Sequence, residues 1–260
     1  MPAIEVRYCT TLAQYDECVR LEHLTWGEDI SVPSAMFVVA HHTGGQVLGA
    51  FVDERMVGFT LAFSGTRGGK LFLHSHMTAV LDGFRDRGIG RKLKLFQRQD
   101  AIRRGIERVE WTFDPLELKN AHFNFARLGA VARRYIPDCY GVTESPLHGG
   151  LPTDRLVAEW WLGSERVLGI LADNPAPSSA LSTGAVVRIS LPANLPEIRA
   201  GERAAALRMQ SEARAQFQRW FSQGYVATSV ESSATVTDYI LEPAEAIAGL
   251  RLPETVETDD

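Results

Sequence analysis

The sequence predicts an α/β fold with a mixed β-sheet, extended by an additional C-terminal βαββ lobe. Predicted strands and helices alternate over residues 1–164, which is the pattern of a sheet covered by helices. A glycine-rich turn at residues 85–90 joins one of these strands to a helix. The composition changes at residues 165–184, and a second series of elements follows. We therefore predict a domain at 1–164, a linker at 165–184, the lobe at 185–243 and an acidic, disordered tail at 244–260.

The segments before the glycine-rich turn predict a strand, a helix and a three-stranded meander. Apolar residues from Leu12 to Leu21 recur at helical spacing, which suits a helix that packs on a sheet. Residues 53–55 are polar and separate two strand-like segments, as in a hairpin. The apolar residues 35–40 are assigned to neither type. The predicted strands are residues 4–9, 46–52, 56–63 and 71–81, and the helix is residues 12–26.

The segments after the turn predict two helices and three strands, and then the lobe. Gly105 and Gly129 mark the ends of the two helices. In the lobe, apolar residues from Ala206 to Trp220 share one face of a long helix, which makes a homodimer a reasonable expectation. The helices are residues 89–104, 118–128 and one that ends at residue 223; the strands are residues 109–113, 131–136, 156–162, 186–191, 225–230 and 237–241.

The composition limits the classes of function. A hydrophobic fraction of 45% over 260 residues excludes general disorder. The net charge of −5 argues against a nucleic-acid partner. There is no apolar run of the roughly 18 residues that a membrane helix needs, and the N-terminal residues lack the apolar core of a signal peptide. Three scattered cysteines, Cys9, Cys18 and Cys139, fit a reducing cytoplasm and show no zinc spacing.

The turn at residues 85–90, Arg-Asp-Arg-Gly-Ile-Gly, has the chemistry of a phosphate-binding site. Gly88 and Gly90 lack a Cβ, so an anion can approach the backbone N–H groups at the start of the following helix. The positive end of the helix dipole lies at the same place. The segment is neither the dinucleotide fingerprint nor the P-loop. On these six residues alone, an ordinary strand-to-helix turn is the alternative.

The pattern R-x-x-G-x-G resembles the pyrophosphate-binding motif of the GNAT acyltransferases, which use acyl-coenzyme A. The predicted order of elements over residues 3–164 is similar to the GNAT fold as well. The resemblance implies that the strand ending at Val80 pairs with the pantetheine arm and supplies the N–H that holds the oxyanion. For Arg91 the alternative is a solvated helix face. The implied coenzyme A contacts in this region are Thr78, Val80, Arg85, Arg87, Gly88, Ile89, Gly90 and Arg91.

Residues 118–130 resemble the second GNAT signature. Ala121 and Gly129 match it, whereas Leu118 stands where the family has its first asparagine, with Asn120 nearby. The resemblance implies that Asn120 and Phe125 contact coenzyme A, although Asn120 could instead be a helix N-cap. Phe125 stands where many members have a tyrosine that protonates the leaving thiolate. A thiol pKa of about 8.5 lets the thiolate leave without much help.

Several further segments resemble one bacterial branch of GNAT proteins, which includes amino-acid N-acyl- and N-succinyltransferases; they are residues 111–116, 120–121, 134–137, 140–141, 150–156 and 159–161. The resemblance implies direct transfer of an acetyl or succinyl group from acetyl-CoA or succinyl-CoA to the amine of a small acceptor. An amino acid is the favoured acceptor. The alternative is a GNAT-like module that binds coenzyme A without catalysis, as a sensor.

The acceptor amine must lose a proton, and four residues are candidates for the base. His74 and His76 alternate on one strand, and an ordinary histidine pKa near 6.5 suits a base at neutral pH. Glu110 and Asp114, on or after the next strand, are the other two. Both histidines could instead be buried and structural. The pair His74-x-His76 lacks an obvious third ligand, so we expect no metal.

Three arginines are candidates for holding a substrate carboxylate. Arg133, Arg134 and Arg155 lie on or beside predicted strands, and a guanidinium group binds a carboxylate through two parallel hydrogen bonds. An amino-acid acceptor or a succinyl donor would need such a group. The alternative is that they are solvated charges on the surface of the sheet.

Overall fold

Ten strands form one mixed sheet in the part of the chain that the structure, a computed structural model, describes: residues 3–28, 31–141, 150–172, 186–247 and 249–250. The order of the strands across the sheet is β1-β2-β3-β4-β5-β7-β6-β9-β10-β8. All neighbours are antiparallel except β4 and β5. The strands are β1 Glu5–Tyr8, β2 Gln46–Val52, β3 Arg55–Arg67, β4 Lys70–Val80, β5 Arg108–Phe113, β6 Val131–Ile136, β7 Arg155–Trp161, β8 Val187–Pro192, β9 Tyr225–Ser232 and β10 Val236–Pro243.

Seven α-helices in the described residues cover parts of both faces of this sheet: α1 Leu12–Trp26, α2 Ser34–His42, α3 Ile89–Arg103, α4 Leu118–His122, α5 Glu165–Leu171, α6 Leu195–Gly201 and α7 Arg203–Ser222. The predicted α/β class with a mixed sheet is therefore confirmed. None of the described helices is long and apolar enough to cross a membrane.

The helices divide between two faces of the sheet, which we call front and back. On the front face α1 and α2 pack against β2, β3 and β4, with Phe37 and Phe59 in the shared core. On the back face α3 packs against the same strands through Ile89 and Leu93. Further along the back face, α7 packs on the strands of the C-terminal half with Phe217 in the core. Burial of apolar side chains on both sides of the sheet stabilises this arrangement.

Strands β4 and β5 touch only briefly in the described structure. Their pairing is limited to Leu73 with Val109 and His74 with Glu110. From Ser75 to Val80, β4 pairs with β3 on one side and leaves a gap towards β5 on the other. A β-bulge lies at the start of this stretch. Ser75 and Met77 pair with consecutive residues of β3, so His76 has no pairing partner on that strand.

Several elements match the prediction, and local chemistry explains why. The bounds of α1 are those predicted: Thr11 accepts a hydrogen bond from the N–H of Gln14, and the Gln14 side chain accepts from the Thr11 backbone, which forms a capping box. Strands β2 and β6 also have the predicted bounds. Asp53 and Glu54 both have positive φ in the hairpin turn between β2 and β3.

Other elements differ from the prediction. Residues 35–40, assigned to neither type, lie in α2 (Ser34–His42), which begins directly after Pro33 and includes His41 and His42, predicted to be in a turn. The predicted helix 118–128 is the short α4 followed by a π-helical turn, Phe123–Arg127. Part of the predicted linker is α5, whose N-cap Ser164 accepts from the N–H of Val167. The long helix of the lobe is two helices, because the backbone at Glu202 leaves the helical conformation.

The C-terminal lobe continues the sheet of the N-terminal part. Strand β9 pairs with β6 at Ala227 and Ala132, and one hydrophobic core includes Phe125 from the N-terminal part together with Phe217 and Tyr239 from the lobe. Residues 173–184 of the predicted linker and 251–260 of the predicted tail lie outside the described residues. The lobe is thus packed against the strands that carry the candidate site.

Candidate functional site

The start of α3 forms an open cradle of backbone N–H groups. Gly88, the N-cap, has a left-handed φ of 74°, and it has no side chain that could cap the helix. The N–H groups of the first turn therefore have no acceptor within the helix. A Cβ added to Gly88 or Gly90 would meet no atom within 4 Å. The cradle has the space, the donors and the helix dipole that a phosphate group needs.

Basic side chains surround this cradle. Arg85 and Arg87 are exposed, and Arg91 is half-buried in the first turn of α3. The guanidinium group of Arg85 donates to the carbonyl of Val80 at 3.2 Å and pairs with Asp82 at 2.8 Å, which ties the turn to the end of β4. Ile89 is buried in the core, so only its backbone can contact a ligand. Three of the predicted phosphate contacts thus bring positive charge to one place.

The gap beside β4 leads from the cradle into the sheet. In a strand with one partner, alternate N–H and C=O groups point away from that partner. From Ser75 to Val80 these groups point to the gap between β4 and β5. Thr78 and Val80 are half-buried along this edge, and the hydroxyl of Thr78 is hydrogen-bonded to that of Thr60 on β3 at 3.1 Å. The edge can pair with the amides of an extended ligand.

Two predicted coenzyme A contacts lie elsewhere. Asn120 is exposed on α4 and does not cap that helix, whose N-cap is Glu117. Phe125 is fully buried, with its ring edge-on to Phe113 and Tyr239 at centroid distances of 6.0 and 6.2 Å. The contact of Phe125 with coenzyme A stays a prediction, and in this structure its ring is enclosed by the rings of Phe113 and Tyr239. Its role in this structure is to join the core of the lobe to that of the sheet.

The two histidines lie together at the closed end of the gap. Their ring centroids are 6.2 Å apart, and His76, at the bulge, is exposed, whereas His74 is half-buried. Burial, with the nearby His76 and Lys94, lowers the pKa of His74 to about 4. Loss of hydration also lowers the pKa of His76. Both rings are therefore neutral at pH 7. In the described residues no group of three His, Cys, Asp or Glu side chains is placed to hold a metal ion.

Glu110 belongs to a group of charged residues on the front face of β3, β5, β6 and β7, which we call the front-face cluster: Arg67, Arg108, Glu110, Arg133, Arg134 and Glu159. Glu110 accepts two hydrogen bonds from Arg67, at 2.6 and 2.9 Å, and one from Arg134. Glu159 pairs with Arg133, with one hydrogen bond at 3.0 Å and an ion-pair contact at 2.9 Å. Four guanidinium groups face two carboxylates, so the cluster has an excess of positive charge.

Burial and charge have opposite effects in this cluster. Burial alone would raise the pKa of Glu159, but Arg133 and Arg134 outweigh it and the pKa is lowered. Arg108 lies between the rings of Phe72 and Trp161, 5.2 Å from each centroid. Its buried Nε has no hydrogen-bond partner among the described residues. The cluster therefore retains capacity to donate to a further acceptor, such as a carboxylate.

The remaining candidates have structural partners. Asp114 pairs with Arg199 of α6 at 3.0 Å and accepts from the N–H of Leu116 at 2.8 Å, so it holds the lobe against the end of β5. Arg155 is buried, lies 5.4 Å from the centroid of Tyr140 and donates to a backbone carbonyl. The structure thus brings Arg133, Arg134 and Glu110 together and places Asp114 and Arg155 in separate contacts.

Three members of the front-face cluster were not predicted from the sequence. Arg67, Arg108 and Glu159 sit on strands at positions that share a face with Glu110, so strand alternation was the signal that could have found them. Their meeting depends on the order of the strands, in which β7 lies between β5 and β6. That order cannot be read from local periodicity.

The mixed sheet and the cradle at the start of α3 fit the class of acyl-coenzyme A-dependent acyltransferases. Residues 12–130, a little under half of the chain, match the family model described as "Acetyltransferase (GNAT) family", and the matched segment includes β4 and the cradle. Comparison with curated protein sequences finds no match.

Three solved structures illustrate the likeness. A proposed acetyltransferase from Acinetobacter baylyi ADP1 is 13% identical with a TM-score of 0.51, over 61% of this chain and 92% of that one. YncA from Salmonella typhimurium, a proposed acetyltransferase solved with acetyl-CoA, is 16% identical with a TM-score of 0.49, over 62% and 94%. Ard1 from Thermoplasma volcanium is 14% identical with a TM-score of 0.49, over 60% and 96%. At this identity the first of them supports the fold alone.

Proposed function

We propose that the protein transfers an acyl group, acetyl or succinyl, from coenzyme A to the amine of a small acceptor. The observation that carries the proposal is the combination of the open cradle at Gly88 and Gly90 with the free edge of β4 that leads away from it. A coenzyme A thioester would fit this arrangement, with its phosphates on the cradle and its extended arm along the edge of β4. The exposed Arg85 and Arg87 and the half-buried Arg91 add positive charge for its phosphates.

The reaction is direct attack of the amine on the thioester carbonyl. Backbone N–H groups on the free edge of β4, near Thr78 and Val80, hold the oxygen that becomes negative in the transition state. The carbon–sulfur bond then breaks, and the thiolate leaves without a tyrosine acid, since Phe125 has no hydroxyl and is buried. The acceptor approaches from the front face, where the histidines and the front-face cluster lie.

The front-face cluster favours an acceptor with a carboxylate, such as an amino acid. The buried Nε of Arg108 in this cluster has no acceptor in the described structure, and a guanidinium group suits the planar geometry of a carboxylate. Among the four base candidates, His76 combines exposure with a neutral ring at pH 7, and it stands at the bulge beside the gap. We therefore assign the base role to His76.

The first test is thiol release from acetyl-CoA and succinyl-CoA against L- and D-amino acids and amines matched to them but lacking the carboxylate. We expect release with amino acids and at least tenfold less with the matched amines, because a buried charge-assisted hydrogen bond contributes roughly 1.5–3 kcal/mol. A control without acceptor measures plain hydrolysis. Equal release from both acceptor classes would contradict the carboxylate assignment, and no release from any pair would contradict the enzyme proposal.

Replacing His76 with alanine should lower kcat by a factor of roughly 100, the lower end of the effect of a general base, with the Kd of coenzyme A unchanged. The base acts in its neutral form and burial lowers its pKa, so the wild-type rate should rise with pH along an acid limb whose midpoint lies below that of an ordinary histidine. In the variant this acid limb should disappear. His42→Ala, an exposed histidine at the end of α2, is the matched control. An unchanged pH profile in the His76 variant would remove His76 from the mechanism.

A second candidate function is a coenzyme A sensor without catalysis. The observation in its favour is that three base candidates are engaged or weak: the carboxylates of Glu110 and Asp114 are paired with arginines, and the pKa of His74 is about 4. Calorimetric binding of coenzyme A and acyl-CoA, together with the thiol-release assay, separates the two functions. Tight binding without release in the presence of any amine favours the sensor.

A further inference from the structure

Lys94 is a buried cation on the back face, in the second turn of α3. Its side chain is 4% exposed, and no carboxylate of the described chain pairs with it. The Nζ donates to the hydroxyl of Ser75 at 2.7 Å and to the amide oxygen of Gln97 at 3.2 Å, and it lies 4.0 Å from the centroid of Trp111. Isolated buried charge is costly, so its retention calls for an explanation.

Two amide groups, one in contact with Lys94 and one joined to it through Trp111, have donors without an acceptor. The protonated Lys94 only donates, so the Gln97 oxygen faces it and the Gln97 Nε2 points elsewhere. The indole N–H of Trp111 likewise only donates, and it takes the oxygen of the buried Asn124 at 3.2 Å. The Nε2 of Gln97 and the Nδ2 of Asn124 have no partner in the described structure. The neighbourhood of Lys94 therefore has more donors than acceptors.

This donor-rich group lies at the closed end of the gap between β4 and β5. Ser75 is the residue of β4 that follows its last pair with β5, and Trp111 is the residue of β5 that follows the same pair. Gly90 and Lys94 are four residues apart on α3, so they share one side of the helix. A ligand that starts at the cradle and runs along β4 towards this end approaches Lys94.

We propose that Lys94, with the amide N–H groups of Gln97 and Asn124, binds a carboxylate at the far end of the donor's acyl group. The donor is then the coenzyme A thioester of a dicarboxylic acid, with succinyl-CoA as the probe. This inference rests on the proposed acyl-CoA site. It assigns the donor carboxylate to the back face, where no described carboxylate competes for Lys94. The acceptor stays at the front-face cluster, where the buried Nε of Arg108 has no acceptor among the described residues.

The charge state of Lys94 provides an independent signal. Burial lowers its pKa to about 7, so part of the free protein carries a neutral Lys94 at neutral pH. A bound carboxylate raises the pKa again, so succinyl-CoA binding should take up a fraction of a proton at pH 7. Calorimetry in buffers of different ionisation enthalpy measures this uptake. Butyryl-CoA, of the same chain length but without the carboxylate, should take up none at this site.

The decisive experiment compares succinyl-CoA with butyryl-CoA in the wild type and in Lys94→Met, which is unbranched, one atom shorter and uncharged. For the variant we expect a loss of roughly 30-fold in affinity and in kcat/KM with succinyl-CoA, the effect of one charge-assisted hydrogen bond in a buried site. With butyryl-CoA both should stay within threefold. Lys70→Met, an exposed lysine at the start of β4, should match the wild type with both donors.

Any of the following three results would contradict the proposed carboxylate site. An equal loss with both donors would show that Lys94 only supports the bulge at Ser75. A loss that follows the carboxylate of the acceptor, not that of the donor, would assign the site to the acceptor. Equal affinity of wild-type protein for succinyl-CoA and butyryl-CoA would contradict the inference without any variant. If no amine is acylated, the enzyme proposal fails by itself, and the difference in affinity still decides whether Lys94 binds a carboxylate.

Discussion

Replacing Gly90 with leucine should abolish coenzyme A binding and leave the fold intact. Gly90 lies in the first turn of α3, and a side chain there would enter the space above the N–H groups of the cradle, which is open in the structure. A phosphate must come within about 3 Å of those N–H groups to accept their hydrogen bonds. A leucine side chain occupies that position, so we expect affinity to fall at least 100-fold, equivalent to about 2.7 kcal/mol.

The stability of this variant should not fall, which makes the result interpretable. The backbone of Gly90 is not in the left-handed region, and leucine favours a helix by roughly 0.5–1 kcal/mol over glycine. Thermal unfolding should therefore start at the same temperature or higher. Gly201→Leu is the matched control, because a side chain at Gly201 of α6 would also meet open space. Coenzyme A binding retained by the Gly90 variant would show that the cradle is not the phosphate site.

Local sequence chemistry explains which parts of the fold were predictable. The bounds of α1 follow from Thr11 and Gln14, and the start of α3 follows from Gly88, because capping depends on residues close together in the chain. Helix α2 was missed because Phe37-Val38-Val39 is a run of apolar and β-branched residues, which is as typical of a strand as of a buried helix. Packing between α1 and the sheet favours the helix over the strand for this segment.

The site was less predictable because its contacts join distant strands. Arg67 and Glu110 are 43 residues apart and meet only because β3, β4 and β5 are adjacent. Consecutive residues of a strand normally point to opposite faces, but a bulge in β6 at this point lets Arg133 and Arg134 both reach Glu159. A bulge of this kind leaves no signal in single-sequence periodicity.

Lys94 shows a second limit of sequence reasoning. A lysine within an otherwise amphipathic helix is expected to face water, since lysines are almost never fully buried. In this chain it is covered by Trp111 and bonded to Ser75, on an adjacent strand. Its burial became visible only when α3 was placed over the gap between β4 and β5.

Replacing Asp154 with alanine should lower the free energy of unfolding by about 3 kcal/mol. Asp154 is fully buried before β7 and accepts four hydrogen bonds. Two come from Arg214 of α7, at 2.8 and 2.7 Å, one from the hydroxyl of Tyr135 at 2.6 Å and one from the N–H of Asp138 at 3.0 Å. Removal of the carboxylate leaves a guanidinium group, a phenol and an amide without their acceptor.

The expected loss lies at the lower end of the range for a broken buried pair, roughly 3–5 kcal/mol. The side chain of Arg214 is 31% exposed, so water can replace part of what it loses. The Tyr135 hydroxyl cannot move to a new acceptor as easily, because its ring stacks on Phe217 with centroids 5.7 Å apart. Burial also raises the pKa of Tyr135. Urea unfolding measures the change. Glu231→Ala breaks a pair with Arg188 in which both side chains are exposed, and it should leave the free energy of unfolding nearly unchanged.

A double-mutant cycle shows whether Asp154 acts through α7. If the pair with Arg214 carries the effect, Arg214→Met in the Asp154→Ala background should cost at least 1.5 kcal/mol less than in the wild type, within the usual range of coupling for residues in contact. Additive effects would mean that Asp138 and Tyr135 carry it and that the pair with Arg214 contributes little. Coupling would instead identify Asp154 as a polar link between the C-terminal lobe and the sheet of the acyl-CoA site, since α7 packs on β6 and β6 pairs with β7.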